Sequence, residues 1–197
     1  WNDLNAVGLS YPKPDLNRSK TPAVHLGVWG LYGPSCEPRI TKDSKQTPEV
    51  NRAMDSMLGI LKHGVVPKID AALDEIVPGH VRVQERSPID PNLDFGGLFF
   101  TVAIKEGSSE RIHIDWNDCL QKYALIFCAG DYTGGDFCIP QLNIRIPLRP
   151  GSVLAVRTRL LAHCATLVGT GRRVVFTCFT DSTLIEASLK GRHYAYV

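Results

Sequence analysis

From about residue 80 onward, apolar residues recur at every second position, in short runs cut by Gly, Pro and Asp. Period two is the repeat of an extended strand with one buried face. Many short runs with no helical pattern between them argue against alternating βαβ units. The runs fall at residues 80–86, 97–105, 111–115, 122–128, 136–139, 143–146, 152–158 and 173–180. Gly134-Gly135 and Pro150-Gly151 are the clearest turns. Such a pattern predicts a sandwich or barrel, and eight strands match a double-sheet jelly roll.

Before residue 80 the pattern is different. Residues 1–47 are rich in Pro, Gly, Asn, Lys and Ser, with scattered aromatics. They read as irregular structure wrapped on a core, or as loops near a cleft; the stretch from Val24 to Leu31 is too apolar for disorder. Thr47-Pro48 is a helix start, with threonine at the cap and proline in the first turn. Val50, Met54, Met57, Leu58 and Leu61 follow at helical spacing, and Gly64 is expected to end that helix. Pro67 opens a second helix, with Ile69, Ala72, Leu73 and Ile76 on one face, until Pro78 stops it. The fold class expected is therefore α+β, a jelly-roll core over residues 80–197 buttressed by helical and irregular support in 1–79. At 197 residues the chain suits one domain.

Hydrophobic residues make up 44% and charged residues 21%, and no run approaches the ~18 apolar residues of a membrane span. A membrane partner is not expected. Cys36, Cys119, Cys128, Cys138, Cys164 and Cys178 form no CxxC pair and no dense segment. Mostly reduced, buried thiols are the expectation, which points to an intracellular protein. Net charge is only +2, but residues 145–197 hold 8 basic and 2 acidic residues, whereas 46–144 hold 8 and 14. The basic end is either an anion-binding side or a set of solvated strand faces.

Candidate chemistry begins at His113-Ile114-Asp115. On a strand, His113 and Asp115 point to one side and can grip one metal while Ile114 packs behind. His163 follows fifty residues later, and Arg172-Arg173 comes about ten residues after it. Two imidazoles and one carboxylate fill one face of an octahedron and leave the other open, the arrangement of non-haem Fe(II) oxygenases. An arginine can bind a dicarboxylate through two parallel hydrogen bonds. Each piece alone has an ordinary reading: HxD arises by chance, a single histidine is more often structural, and Arg173 could open a surface strand. The order of the pieces is what makes a site, and it suggests an Fe(II)- and 2-oxoglutarate-dependent oxygenase.

The run from His113 to Phe179 resembles the double-stranded β-helix core of the Fe(II)/2-oxoglutarate dioxygenases. Gly134-Gly135-Asp136-Phe137 with Pro140, Pro150-Gly151-Ser152-Val153-Leu154, and His163-Cys164-Ala165 through Gly171-Arg172-Arg173 are similar to the prolyl-4-hydroxylase pattern. Arginine in place of lysine, and the Cys-bearing segments, resemble the TET/JBP-like proteins of fungi, which oxidise methyl groups on nucleic-acid bases. The superfamily resemblance covers roughly the last 85 residues.

That resemblance implies that His113, Asp115 and His163 bind iron, and that Arg173 binds the distal carboxylate of 2-oxoglutarate. Arg172 takes this role if the register is off by one, since only one of the two can face inward. Tyr123 is a second candidate contact to the co-substrate, or an ordinary core tyrosine. The reaction implied consumes O2 and 2-oxoglutarate, releases succinate and carbon dioxide, and oxidises an unactivated C–H bond. Asp115 argues against a halogenase, in which a small residue replaces the carboxylate. A cupin would carry HxH with its last histidine close after the Pro-Gly turn, and a zinc hydrolase would leave the arginines unexplained.

The substrate is open between a nucleobase methyl group, a peptide and a small molecule. Arg18, Lys20, Lys42, Lys45 and the N-terminal tryptophans could hold an extruded base. Yet residues 1–45 carry 6 basic against 4 acidic residues, and no basic stripe declares nucleic acid. A nuclear location would follow from a nucleic-acid substrate. The rival from another class is a jelly-roll binding module in which the histidines are incidental. Oligomeric state cannot be read from the sequence.

Overall fold

The computed structural model describes residues 1–30, 38–78, 93 and 95–189, which form a mixture of helices and antiparallel sheet. They group into two compact units. The first comprises Trp1–Ser10, His25–Thr101 and Thr180–Val197; the second comprises Tyr11–Val24 and Val102–Phe179. The expected strand 80–86 and Cys36 lie outside the described residues. Among the described residues no helix is long and apolar enough to cross a membrane.

The first unit is helical with a small antiparallel pair. Helix α1 spans Asn2–Ala6, α2 Pro48–Ile60 and α3 Val66–Ile76. Thr47 caps α2 through a hydrogen bond from the Val50 amide, 3.4 Å, with Pro48 in the first turn. Gly64 does not end the helix, as its sequence position suggests it should. A π-turn over Leu61–Val65 carries the chain into α3. Burial explains this. Met54, Leu58, Leu61, Val66, Ile69 and Leu73 form one buried stripe, and the step from Leu61 to Val66 is one residue too long for an α-helix. The wider π-turn absorbs that residue and relieves the missing N–H of Pro67 at the same place.

Residues 1–47 are more regular than their composition suggests. They hold α1 and two strands, β1 (Ala23–Gly30) and β2 (Pro38–Ile40), paired antiparallel with Val28 opposite Ile40. In β1 the buried Val24, Leu26, Val28 and Gly30 alternate with partly exposed Ala23, His25 and Trp29, so a period of two is present, set among Pro- and Gly-rich flanks that read as irregular. Thr41, fully buried, donates to the His25 carbonyl at 2.6 Å and closes the pair.

The second unit holds two sheets. Strands β3 (Thr101–Glu106), β9 (Val168–Phe179), β4 (Ala124–Gly134) and β7 (Val153–Val156) are neighbours in that order. Strands β6 (Ile144–Ile146), β5 (Phe137–Ile139) and β8 (Cys164–Ala165) form the other. Helix α4, at Ser182–Leu189, belongs to the first unit. The β4–β9 ladder runs from Leu125 opposite Cys178 to Gly134 opposite Val168, with an irregularity at Thr133/Gly134. Strand β9 begins before the expected 173, because extended pairing continues through Gly169 and Gly171. Ile126, Cys128 and Val156 of one sheet and Phe137 and Ile139 of the other are buried in one cluster with Leu148. Each such aliphatic or aromatic side chain contributes roughly 1.5–3 kcal/mol on burial, which ties the two sheets together.

Expected strand 111–115 is not a strand but a single bridge, His113 opposite His163. Its amides go to three different segments: Arg111 to the Arg18 carbonyl, His113 to His163, and Asp115 to Thr158. No one neighbour runs beside it long enough to make a ladder. Five cysteines are free thiols; Cys119, Cys128 and Cys178 are buried, while Cys138 and Cys164, opposite each other on β5 and β8, are only partly covered.

Phe127 and Phe176 face each other across β4 and β9 and stack at 4.9 Å with an interplanar angle of 7°. A double-mutant cycle with Phe127→Leu and Phe176→Leu, read by urea unfolding, is expected to show about 0.5–1.5 kcal/mol of coupling. Zero coupling would mean that the rings are held only by the ladder.

Candidate metal centre

The His113–His163 bridge places two imidazoles side by side. Each histidine amide donates to the other's carbonyl, at 3.0 and 2.9 Å, so a fifty-residue excursion ends with both α-carbons fixed. Ring centroids are 4.4 Å apart. Each Nδ1 lies against a carbonyl two residues back, Arg111 at 2.8 Å for His113 and Leu161 at 2.9 Å for His163. A carbonyl only accepts, so each Nδ1 carries a proton, which leaves Nε2 as the atom that each ring can offer to a metal. Asp115 completes the group, with Oδ1 3.9 Å from His113 Nε2 and Oδ2 3.5 Å from His163 Nε2.

One ligand atom from each of His113, Asp115 and His163 lies within 4.8 Å of the others. Metal–ligand bonds of about 2.1 Å bring neighbouring donors to about 3 Å, so only a small contraction is needed. Two neutral imidazoles and one carboxylate suit a first-row divalent metal. The electrostatics agree. Burial alone would push the Asp115 carboxyl up, but the His163 contact and the Arg18 charge outweigh it and hold it below the usual range. Burial pushes His113 down, which keeps its imidazole neutral and able to ligate. Phe137 covers His163 from the side, with centroids 5.2 Å apart.

The two arginines separate cleanly. Arg173 is 3% exposed, whereas Arg172 points outward and forms a two-bond pair with Glu106, both distances 2.8 Å. Alternation along β9 forces this split. Arg173 Nη1 donates to the Gly107 carbonyl at 2.9 Å, and its buried Nε has no hydrogen-bond partner among the described residues. A buried guanidinium N–H without an acceptor is costly, and a carboxylate is its natural complement.

Tyrosine 132, not Tyr123, accompanies Arg173. The Arg173 guanidinium lies 5.6 Å from the Tyr132 ring, and the Tyr132 hydroxyl donates to the Leu148 carbonyl. Tyr123 instead lies under Arg157, 5.1 Å from guanidinium to centroid. Tyr123 is an odd number of residues from Cys128 and Tyr132, so strand alternation sends it to the other face.

Sequence reasoning missed Lys105. It is 7% exposed, donates to Ser109 Oγ at 3.2 Å, and feels the charges of Glu110 and Arg173. Burial first, then Arg173, brings its pKa down to about 8, with Glu110 opposing. A lysine in an otherwise apolar strand run is the signal that could have found it. Arg18 was noticed as a positive charge, but its contact with Asp115 Oδ1 at 2.6 Å spans 97 positions and leaves no trace in any spacing.

No protein-family model and no curated protein matches this sequence. Among solved structures, the chain is similar to NgTET1 in complex with 5mC DNA, at TM-score 0.53 and 14% identity, covering 82% of this chain and 61% of that one. It is also similar to an oxidoreductase of the 2OG-Fe(II) oxygenase family from Burkholderia pseudomallei, at TM-score 0.50 and 12% identity, covering 89% and 76%. The chain thus spans 61% of the length of the TET structure.

Gly135 has φ +69°, and a Cβ there would stand 2.6 Å from Arg173 Nε and 2.7 Å from Cδ. Gly151 has φ +87° but open space around it. Both Gly135→Ala and Gly151→Ala incur the positive-φ strain, of order 1 kcal/mol, but only the first must also move Arg173. Thermal unfolding is expected to show Gly135→Ala clearly the less stable of the two; equal melting points would mean that Arg173 moves aside freely. In fold, the chain is similar to a TET protein and to an oxidoreductase of the 2OG-Fe(II) oxygenase family.

Proposed function

We propose that this chain is an Fe(II)- and 2-oxoglutarate-dependent oxygenase with a jelly-roll core, and that 1–197 acts as one oxygenase domain. The observation that carries the reading is the convergence of two Nε2 lone pairs and the Asp115 carboxylate, with the buried, unsatisfied Arg173 in the same unit. His113, Asp115 and His163 would hold the iron. When bound, that iron supplies the chemistry by which O2 and 2-oxoglutarate become succinate and carbon dioxide, with one oxygen atom left for the substrate C–H bond.

The chain's own residues do the rest. The guanidinium of Arg173 offers a donor to the distal carboxylate, and the Lys105 ammonium adds a second positive charge. Tyr132 and Cys128 pack against Arg173 and exclude water from it. Phe137 fixes the His163 ring. Arg172, already paired with Glu106, is not needed for the co-substrate.

For the substrate, a methyl group on a nucleobase such as 5-methylcytosine is the reading we favour, and with it a nuclear location. It rests on the structural likeness to a TET protein bound to 5mC DNA and on Trp116. Trp116 directly follows the ligand Asp115 and is 68% exposed, a free aromatic face on which an extruded base can stack. Methylated DNA, RNA and peptides offered side by side, with products read by mass spectrometry, test this choice. Oxidation of peptides alone would overturn it.

Anaerobic addition of Fe(II) and 2-oxoglutarate to metal-free protein should give a weak visible charge-transfer band that fades with oxygen. His113→Ala and Asp115→Ala should reduce turnover to background while the protein still melts cooperatively; near wild-type turnover in both refutes the metal assignment. Arg173→Ala loses a charge-assisted contact of about 1.5–3 kcal/mol, so the 2-oxoglutarate requirement should rise roughly ten- to a hundredfold.

Lys105 gives a pH dependence. Its proton favours a dianion, and in the ligand-free protein that proton leaves near pH 8. Affinity for 2-oxoglutarate should therefore be level below about pH 8 and fall above it. Lys105→Met should bind more weakly at pH 7 and lose this decline. A decline that survives in the variant would assign it to another group.

A further inference from the structure

Arg18 is remote in sequence from every metal-ligand candidate, yet its Nη1 lies 2.6 Å from Asp115 Oδ1. Its Nε faces Asp15 Oδ2 at 3.5 Å. The segment that carries it is fastened to the run leading into His113. Arg111 N–H donates to the Arg18 carbonyl at 3.3 Å, and the buried Ser19 hydroxyl donates to the Ser108 carbonyl at 2.9 Å. A turn at Asp15, which accepts from the amides of Asn17, Arg18 and Ser19, sets the direction of the arginine.

The two oxygens of Asp115 therefore have different surroundings. Oδ1 is taken by Arg18, and Oδ2 faces His163 Nε2 at 3.5 Å. A carboxylate free of other partners can bind a metal through one oxygen or two. Bound through two, it would occupy a position that co-substrate or oxygen needs.

We infer that Arg18 is a positioning residue that holds Asp115 Oδ1 away from the metal, so that Oδ2 alone ligates and three coordination positions stay open. This rests on the metal reading above. Arg18 touches no reacting atom; it acts through Asp115. A partner that orients a metal ligand commonly contributes about ten- to a hundredfold in metal affinity.

The test is titration of wild-type, Arg18→Gln and Arg18→Lys proteins with Co(II), followed by visible absorption and calorimetry, with metal-free melting curves as the folding control. About tenfold weaker Co(II) binding is expected for Arg18→Gln, with part of the loss recovered in Arg18→Lys, which still offers one charged donor. Because Asp115 is buried, Arg18→Gln should lower the metal-free melting temperature somewhat while unfolding stays cooperative, so the Co(II) affinities are compared only between folded proteins. A crystal structure of the wild-type Co(II)–2-oxoglutarate complex supplies a check that needs no variant. Asp115 should bind through one oxygen, with Arg18 on the other.

Unchanged or tighter Co(II) binding in Arg18→Gln overturns the proposal, as does a two-oxygen Asp115 or an Arg18 turned to solvent in the complex. Wild-type protein that binds no Co(II) overturns the metal reading itself. The two failures are therefore distinct.

Discussion

The ladder between β4 and β9 is the constraint on which the site depends. It puts Gly130 opposite Arg173 and sends Arg173 inward while Arg172 goes to Glu106. It also brings Cys128 and Tyr132 onto the face that Arg173 occupies. A one-residue slip would exchange Arg172 for Arg173 and bury the wrong charge. Stacked Phe127 and Phe176, and the shared core of Ile126, Phe137, Ile139 and Val156, oppose such a slip. Chemistry here is therefore a consequence of apolar packing several residues away.

Charge is concentrated where it is hardest to accommodate. Lys105 and Arg173 are buried and close enough to repel, and burial already drives the lysine toward neutrality. Arg18 and the His163 contact outweigh burial and hold the Asp115 carboxyl below its usual range. Two neighbouring buried cations and an Arg173 Nε without an acceptor among the described residues are costly to keep in an interior. On the proposed reading, an anion would relieve that cost.

The sequence made the metal-ligand candidates legible because their chemistry is short-ranged. His113 and Asp115 are two apart, and their donor atoms do converge with His163. The arginine question was also nearly settled, since alternation admits one inward residue. Other elements were hidden for physical reasons. Strand β1 does alternate, with Val24, Leu26 and Val28 buried, but it lies among Pro- and Gly-rich residues that read as irregular. The π-turn at Leu61–Val65 depends on a stripe that a fixed 3.6-residue period does not fit. Tyr132 was passed over for Tyr123 because only the parity of β4 separates them. Arg18 and Lys105 matter through distances that no local pattern encodes. The eight-strand pattern was read from alternation, and the run around His113 shows where that fails. Residues can be extended, and share a side, with amides divided among three partners.

The bridge between His113 and His163 has a consequence for how the chain assembles. Closing a loop of fifty residues costs about 3.5 kcal/mol of chain entropy by (3/2)RT ln n, before any constant. Two backbone hydrogen bonds, each worth about 1 kcal/mol net, do not cover that. The bridge can form only after β5 has paired with β8 and β4 with β7 and β9, which shorten the effective loop. On this reckoning the two histidines are brought together by sheets that have already formed, and not the reverse.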